Sequence, residues 1–488
     1  MRLAALILLS AAPAAAQAHT FGRLYTLPVP LWLYAWGAGS ALVLSFIAAA
    51  WFMRAPTTPA RGGAASIDLT RVLATLRRLR VPQLLQLAAV AMLLMAIATG
   101  LFGNREPLRN FSMTAFWILF LLGVTYATVL AGDFYARLNP WRTLVAAAER
   151  VAPGFARGRV AWPAALDVWP ALALFVGLIW FELCVRGTPF ALGAVLAGYT
   201  LANFAGAWLF GADAWFRHCE VFSVFFRTVA KLAPLDYRPG GPGGQGALSL
   251  HWPGTGALHD RPAHLAGVIF VLAMLASTAF DGLRETRPWF ALFWYDPLGF
   301  ITPLVGERPI DGLTAARPWY RAWDTAWLLA APFVYFGAYT LTLVLARGLT
   351  RTQRPLRELL LDFAWTLLPI VVAYHASHYF TLLLDQGPKI LSLASDPFGW
   401  GWNLFGTAHK FRAAYIPDLT WVWHVQVLLI LVGHVSSVLL AHQVALRVFA
   451  TRRAAVLSQL PMLLLMLGFT VFGLWILAQP LTSTMVVG

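Results

Sequence analysis

Two histidines stand three residues apart within an apolar stretch, Ala373-Tyr374-His375-Ala376-Ser377-His378-Tyr379. On a helix that spacing puts them about 60° apart on one face, where both can converge on one centre. Imidazole is the commonest ligand for zinc and copper, and it is also a base that works near neutral pH. A third histidine, His424, lies about 8 Å along the next apolar stretch, at a depth comparable with His375 and His378. Three such ligands would hold a zinc-like ion and leave a position open for water. Two carboxylates fall at similar depth, Glu182 in Trp180-Phe181-Glu182-Leu183 and Asp281 in Ser277-Thr278-Ala279-Phe280-Asp281-Gly282. Either could complete a metal shell, orient a ligand histidine or act as general base. The plainer account of both acids is an interfacial anchor or a hydrogen bond between helices. Ionisable groups are costly inside a membrane span, so this concentration is the main functional clue. It falls in the segment Leu359 to Leu446, which holds six of the eleven histidines.

Three other groups are weaker candidates. His434, beside Gly433 and Ser436, suits a packing hydrogen bond as well as a ligand, and His442 lies some 27 Å along the helix from His424, too far to share its site. His409 falls in a loop and reads as solvated, and Asp396, before Pro397, reads as an Asx turn. His19 would be the first residue after a cleavage site, where its amine and imidazole together could chelate copper.

The elements that position these groups are membrane helices. With 59 % hydrophobic and 12 % charged residues, the chain has too little polar surface for a soluble globule. Residues 1–18 read as a cleavable signal peptide, with Arg2, an apolar Leu3 to Leu9 core and Ala16-Gln17-Ala18. Ten apolar runs of membrane-spanning length follow, at roughly 31–53, 83–103, 112–132, 164–185, 189–211, 264–283, 325–346, 359–384, 419–446 and 456–480. The expected fold is all-α: a single transmembrane bundle over 19–488, with both mature termini on the periplasmic side of a bacterial inner membrane. The loops assigned to the inside hold 23 Lys and Arg against 12 outside. That asymmetry accounts for the net charge of +15 by orientation in a lipid bilayer and gives no support to a nucleic-acid partner. The long loops would be 212–263 inside, and 284–324 and 385–418 outside. Residues 142–150 and 215–232 read as helices lying on the inner surface. The tryptophans and tyrosines near the run ends read as an interfacial belt. Cys184 and Cys219 fall on opposite sides and cannot pair. The stretch Pro239 to Gly246 lacks the Gly-Lys-Ser/Thr ending of a phosphate loop and reads as a flexible linker.

Several phrases occur together: Ala18-His19, Leu27-Pro28-Val29-Pro30-Leu31-Trp32-Leu33, Asn139-Pro140-Trp141-Arg142, Phe280-Asp281-Gly282, Ser395-Asp396-Pro397-Phe398-Gly399, Gly401-Trp402-Asn403-Leu404-Phe405-Gly406-Thr407-Ala408, Val432-Gly433-His434 and Leu440-Ala441-His442. As a set they resemble the bacterial polytopic membrane proteins known as fenitrothion hydrolases, over most of the chain. The resemblance implies hydrolysis of the P–O–aryl bond of a small lipophilic organophosphorus triester. That family often carries Tyr at the place of His424, which makes this residue the weakest of the three ligands. The expected activity is a phosphotriester hydrolase assisted by a divalent, zinc-like metal on His375, His378 and His424, with Asp281 and Glu182 as catalytic carboxylates. The alternative is a non-enzymatic membrane protein: a transporter, a copper-handling protein, or a haem b protein with axial histidines such as His378 and His424.

Overall fold

The computed structural model describes residues 29–53, 67–185, 187–238, 246–411 and 418–479. The signal-peptide segment, His19 and most of the glycine-rich linker lie outside the described residues. Among those described, nine helices are long and apolar enough to cross a membrane: α1 (Leu31–Phe52), α3 (Val81–Phe102), α4 (Phe111–Ala131), α7 (Pro189–Phe210), α9 (Leu265–Arg284), α10 (Leu313–Thr350), α11 (Leu356–His378), α12 (Leu419–Val448) and α13 (Arg452–Ala478). A shorter apolar helix, α6 (Trp169–Val185), stands at the fourth expected run. The protein is an all-α polytopic bundle with the build of a multi-pass membrane protein.

Burial decides which helix is the core. In α9, 94 % of the apolar window is buried, against 22 % in α1. A helix that is apolar on every side belongs in the middle, and α9 packs against α6, α10 and α11. It is fastened at one end by Arg284, whose guanidinium donates to the Leu183 carbonyl of α6 at 2.7 Å and pairs with Asp324 of α10 at 3.2 Å. The indole of Trp289 donates to the other Asp324 oxygen, so this buried ion pair has further polar support.

Helix α11 is not continuous. Residues Ala364–Leu367 tighten into a 3₁₀ turn, and a new run, Leu368–His378, starts with Pro369 near its first position, where the missing N–H costs no hydrogen bond. That run packs along α12. A Cβ on Gly433 would come within 2.3 Å of the Ala373 Cβ, so a glycine is needed for this approach. Ser377 donates to the Gln426 carbonyl at 3.2 Å, and the Gln426 amide donates back to the Ser377 carbonyl at 2.9 Å. This reciprocal clamp sets the rotation of the histidine-bearing turn.

One group of smaller elements lies at the end of the bundle richer in arginine. Helices α2 (Thr70–Arg78), α5 (Pro140–Val151) and α8 (Val221–Val229) lie there with a three-stranded antiparallel sheet. Its order is β1 (Ile67–Asp68), β3 (Ala247–Leu250), β2 (Leu235–Arg238). The glycine-rich stretch joins β2 to β3.

Three expectations change. The stretch 215–232 does not lie on the surface: in α8 all residues but Arg227 are buried, because Phe222, Phe225 and Phe226 fill the core and Arg227 caps the Arg217 carbonyl at 2.6 Å. The helix expected at 325–346 runs from Leu313 to Thr350. Its first turns carry Arg317, Arg321 and Asp324, charges that hide a helix from a count of apolar residues. The loop before it is correspondingly shorter and contains the helix Arg287–Trp294. Asp396 accepts from the backbone N–H groups of Trp400 and Gly401, both at 2.9 Å, the local structural role expected of it.

Candidate functional site

Asp281 sits in the last turn of α9, where the small residue after it matters. A Cβ on Gly282 would lie 2.5 Å from Ile476 of α13 and 3.4 Å from the His378 ring, so glycine lets both helices close in. His378 Nε2 is 2.9 Å from Asp281 Oδ2, and the Tyr379 hydroxyl donates to the same oxygen at 3.0 Å. Asp281 and Tyr379 are buried, at 2 % and 7 % exposure, while His378 is half-buried. The Asp281 oxygen accepts from the Tyr379 hydroxyl and, in the Nε2–H tautomer, from the His378 ring. The pairing is the carboxylate–imidazole arrangement that fixes the orientation of an imidazole ring in hydrolytic enzymes.

His375 lies one helical turn below Tyr379, and the two rings meet edge to face with centroids 4.8 Å apart. The Tyr126 hydroxyl of α4 stands 3.3 Å from His375 Nδ1. His375, Tyr379 and Glu182 line one internal cavity with Thr125, Ser277 and Trp117. Its volume of about 40 Å³ gives room for roughly two or three water molecules. Two of the helices that wall it are locally widened. Thr114–Gly123 of α4 and Phe181–Val185 of α6, the segment that holds Glu182, are π-helical, a distortion common beside functional sites.

The structure therefore brings four of the five expected residues to one end of the core helix. Asp281 and His378 are in direct contact; His375 and Glu182 share the cavity wall; Tyr379 links the two pairs. His424 is placed elsewhere. It is exposed on the first turns of α12, with Nδ1 2.7 Å from the Thr420 carbonyl and Nε2 3.3 Å from the Tyr34 hydroxyl of α1. Among the described residues no cluster of three or more His, Cys, Asp and Glu is arranged to hold a metal ion. His434 is buried with Nδ1 on the Ile430 carbonyl at 2.8 Å, and His442 is buried against the Gln459 amide at 3.0 Å, both as packing groups. Both cysteines are free.

Tyr379 and Tyr126 are the site residues that sequence reasoning missed. Tyr379 closes the quoted stretch, but a tyrosine near the end of an apolar run reads as interfacial belt. The signal available was its position, adjacent to His378 and one turn from His375.

Comparisons with protein-family models, with curated proteins and with solved structures find no match for this chain.

Proposed function

We propose that this protein is a membrane-embedded hydrolase of lipophilic esters, with organophosphorus triesters of the fenitrothion kind as substrate class and the bacterial inner membrane as its location. The observation that carries the reading is the joining of the Asp281–His378 pair, through Tyr379, to a cavity walled by His375 and Glu182. The family resemblance in the sequence supplies the substrate class.

Water is the nucleophile in this reading. Its oxygen bonds to phosphorus as the P–O–aryl bond breaks, its proton passes to His375 or Glu182 in the cavity wall, and the aryloxide takes up a proton to leave as a nitrophenol. General base assistance of this kind contributes about 10²–10⁴-fold. Asp281 fixes the His378 ring and the Tyr379 hydroxyl, and so sets the shape and polarity of the wall against which the water is held. A bound divalent ion would polarise the phosphoryl or thiophosphoryl oxygen. The expected ligand set is incomplete for such an ion: a carboxylate behind His378 is a common setting for a ligating imidazole, but His424 stands apart at Tyr34, and no cluster of three or more His, Cys, Asp and Glu suited to a metal occurs among the described residues.

The cavity volume favours a second reading. At about 40 Å³ it admits water but not an aryl triester, whose binding sites commonly span some 300 Å³ or more. The hydrolase reading thus requires the surrounding helices to part for substrate. A non-enzymatic transporter would instead use the same buried groups to relay protons. For haem, both His378 and His424 would have to leave their present partners.

Washed membranes containing the protein, compared with membranes lacking it, separate these readings. Protein-dependent nitrophenolate release from fenitrothion that survives a chelator supports the hydrolase as written. Release abolished by the chelator and restored by zinc would mean the metal-assisted form. Absence of release from well-inserted protein would favour transport.

A further inference from the structure

The arginine-rich end carries a helix that the catalytic reading does not use. On α2 the residues Val72, Leu76 and Leu79, at and just past its end, form a stripe at i, i+4 and i+7, and they are 50 %, 39 % and 64 % exposed. Beside it runs a second exposed stripe, Arg71, Thr75 and Arg78. The opposite face is fastened to the protein: Leu73 is buried, Arg77 donates to the Tyr237 hydroxyl of β2 at 2.7 Å, and the guanidinium of Arg137 lies 3.8 Å over the same ring. Arg80 follows in a left-handed conformation with φ of 55°, and Val81 then begins α3, one of the membrane-length helices. The chain turns here from a helix with one anchored face into a span, which puts α2 level with the surface of the apolar slab. No ion pair ties Arg71, Arg77, Arg78, Arg80 or Arg137 to a carboxylate among the described residues.

Each stripe alone would be unremarkable. Together they specify one kind of surface. Exposed apolar side chains at i, i+4 and i+7 are stable when sunk among acyl chains, and arginines flanking such a stripe extend toward the headgroups while their stems stay in the apolar layer. Guanidinium matches phosphate with paired N–H donors, and five arginines, with Asp68 near Arg71 as a partial counter-charge, form a local excess of positive charge. We propose that α2 is an in-plane helix that binds the phosphodiester headgroups of anionic phospholipids in the leaflet at the arginine-rich end, with Arg71, Arg78 and Arg80 on the phosphates and Val72, Leu76 and Leu79 among the acyl chains. Arg77 is a positioning residue: it pins the helix to the sheet so that both stripes face outward.

Lipid retention by the purified full-length chain tests this. The protein in neutral detergent is supplied with phosphatidylglycerol, with phosphatidylcholine or with inorganic phosphate, and bound lipid is counted by native mass spectrometry. Wild type is expected to retain phosphatidylglycerol in preference to phosphatidylcholine. The triple variant R71Q/R78Q/R80Q is expected to lose that retention roughly tenfold or more, since each surface basic group near an anionic bilayer contributes severalfold. The variant V72S/L76S should also lose retention although its arginines are intact, and R71K/R78K/R80K should keep most of it because charge is preserved. The Lys and Ser variants keep the test open if the Gln variant fails to fold. Equal retention by wild type and variants, or equal retention of the two lipids, would overturn the proposal. Displacement of the lipid by millimolar inorganic phosphate would assign the arginines to free phosphate and overturn the lipid source. A dimer broken by these substitutions with lipid retention unchanged would make the face a contact between copies.

Discussion

Glu220 and Asp281 are both carboxylates buried to 2 % exposure or less, yet they are held in opposite ways. Glu220 precedes α8 and accepts from the backbone N–H groups of Phe222 and Ser223, from the Asn139 amide and from the Tyr199 hydroxyl, at 2.7–3.2 Å. It stands at a helix N-terminus, where unpaired N–H groups and the positive end of the dipole welcome an anion. Asp281 stands in the last turn of α9, where carbonyls are left over and the dipole opposes a negative charge. Two of its partners, His378 and Tyr379, come from about a hundred residues away, and Tyr379 borders a cavity. A buried acid explained by its local backbone is architecture. One held by an imidazole and by a tyrosine that lines a cavity is where chemistry is to be sought.

This contrast also marks what could be read in the sequence. The spans were legible because twenty-residue apolar runs have few alternatives, and each expected run has its helix among the described residues. His375, His378, Asp281 and Glu182 were legible because charge is conspicuous in an apolar helix. Their partners were not. The pairing of Asp281 with Tyr379 depends on how α9 and α11 rotate against each other, set by Gly282 and by the Ser377–Gln426 clamp, and no residue spacing encodes that. His424 misled for the same reason: its depth matched, but its helix turns it toward Tyr34. The charged first turns of α10 and the buried, aromatic α8 failed a hydropathy criterion in opposite directions.

Substitutions can break or sharpen the contrast. The largest effect on stability is expected from Glu220→Ala, which strands four donors in the interior; at about 1–3 kcal/mol for each buried group left unpaired, the loss should be at least about 3 kcal/mol. Thermal unfolding in detergent and yield of inserted protein measure it, and activity per folded molecule should stay within twofold of wild type. Tyr379→Phe removes the hydroxyl that joins the cavity to Asp281, and nitrophenolate release should fall roughly tenfold, the equivalent of about one charged hydrogen bond, with little change in unfolding temperature.

Asp296 supplies a control outside the membrane-spanning segments. Burial opposes its ionisation, but the hydrogen bonds from Thr302, Ile301 and Phe300 outweigh it and hold its carboxyl below the ordinary range. A depressed folded value means that its contribution is complete above the unfolded value, near 4, and is lost as pH falls through the folded one. Asp296→Asn should therefore lower stability by about 1 kcal/mol at neutral pH, with the deficit closing in acid. Unfolding curves across pH 2–7 would reveal a parallel offset instead if ionisation were irrelevant. The smallest effect belongs to His424→Ala, which should change nitrophenolate release by less than about twofold because the residue lies apart from the cavity; a loss of a hundredfold would return it to the site as a ligand.

The most direct test is the rate of nitrophenolate release by membranes carrying Asp281→Asn, set beside wild type and Glu220→Gln at matched amounts of inserted protein. The account predicts that Asp281→Asn loses about 10²–10⁴-fold while Glu220→Gln keeps its rate per folded molecule. Full activity from correctly inserted Asp281→Asn would contradict the assignment of chemistry to this end of the core helix.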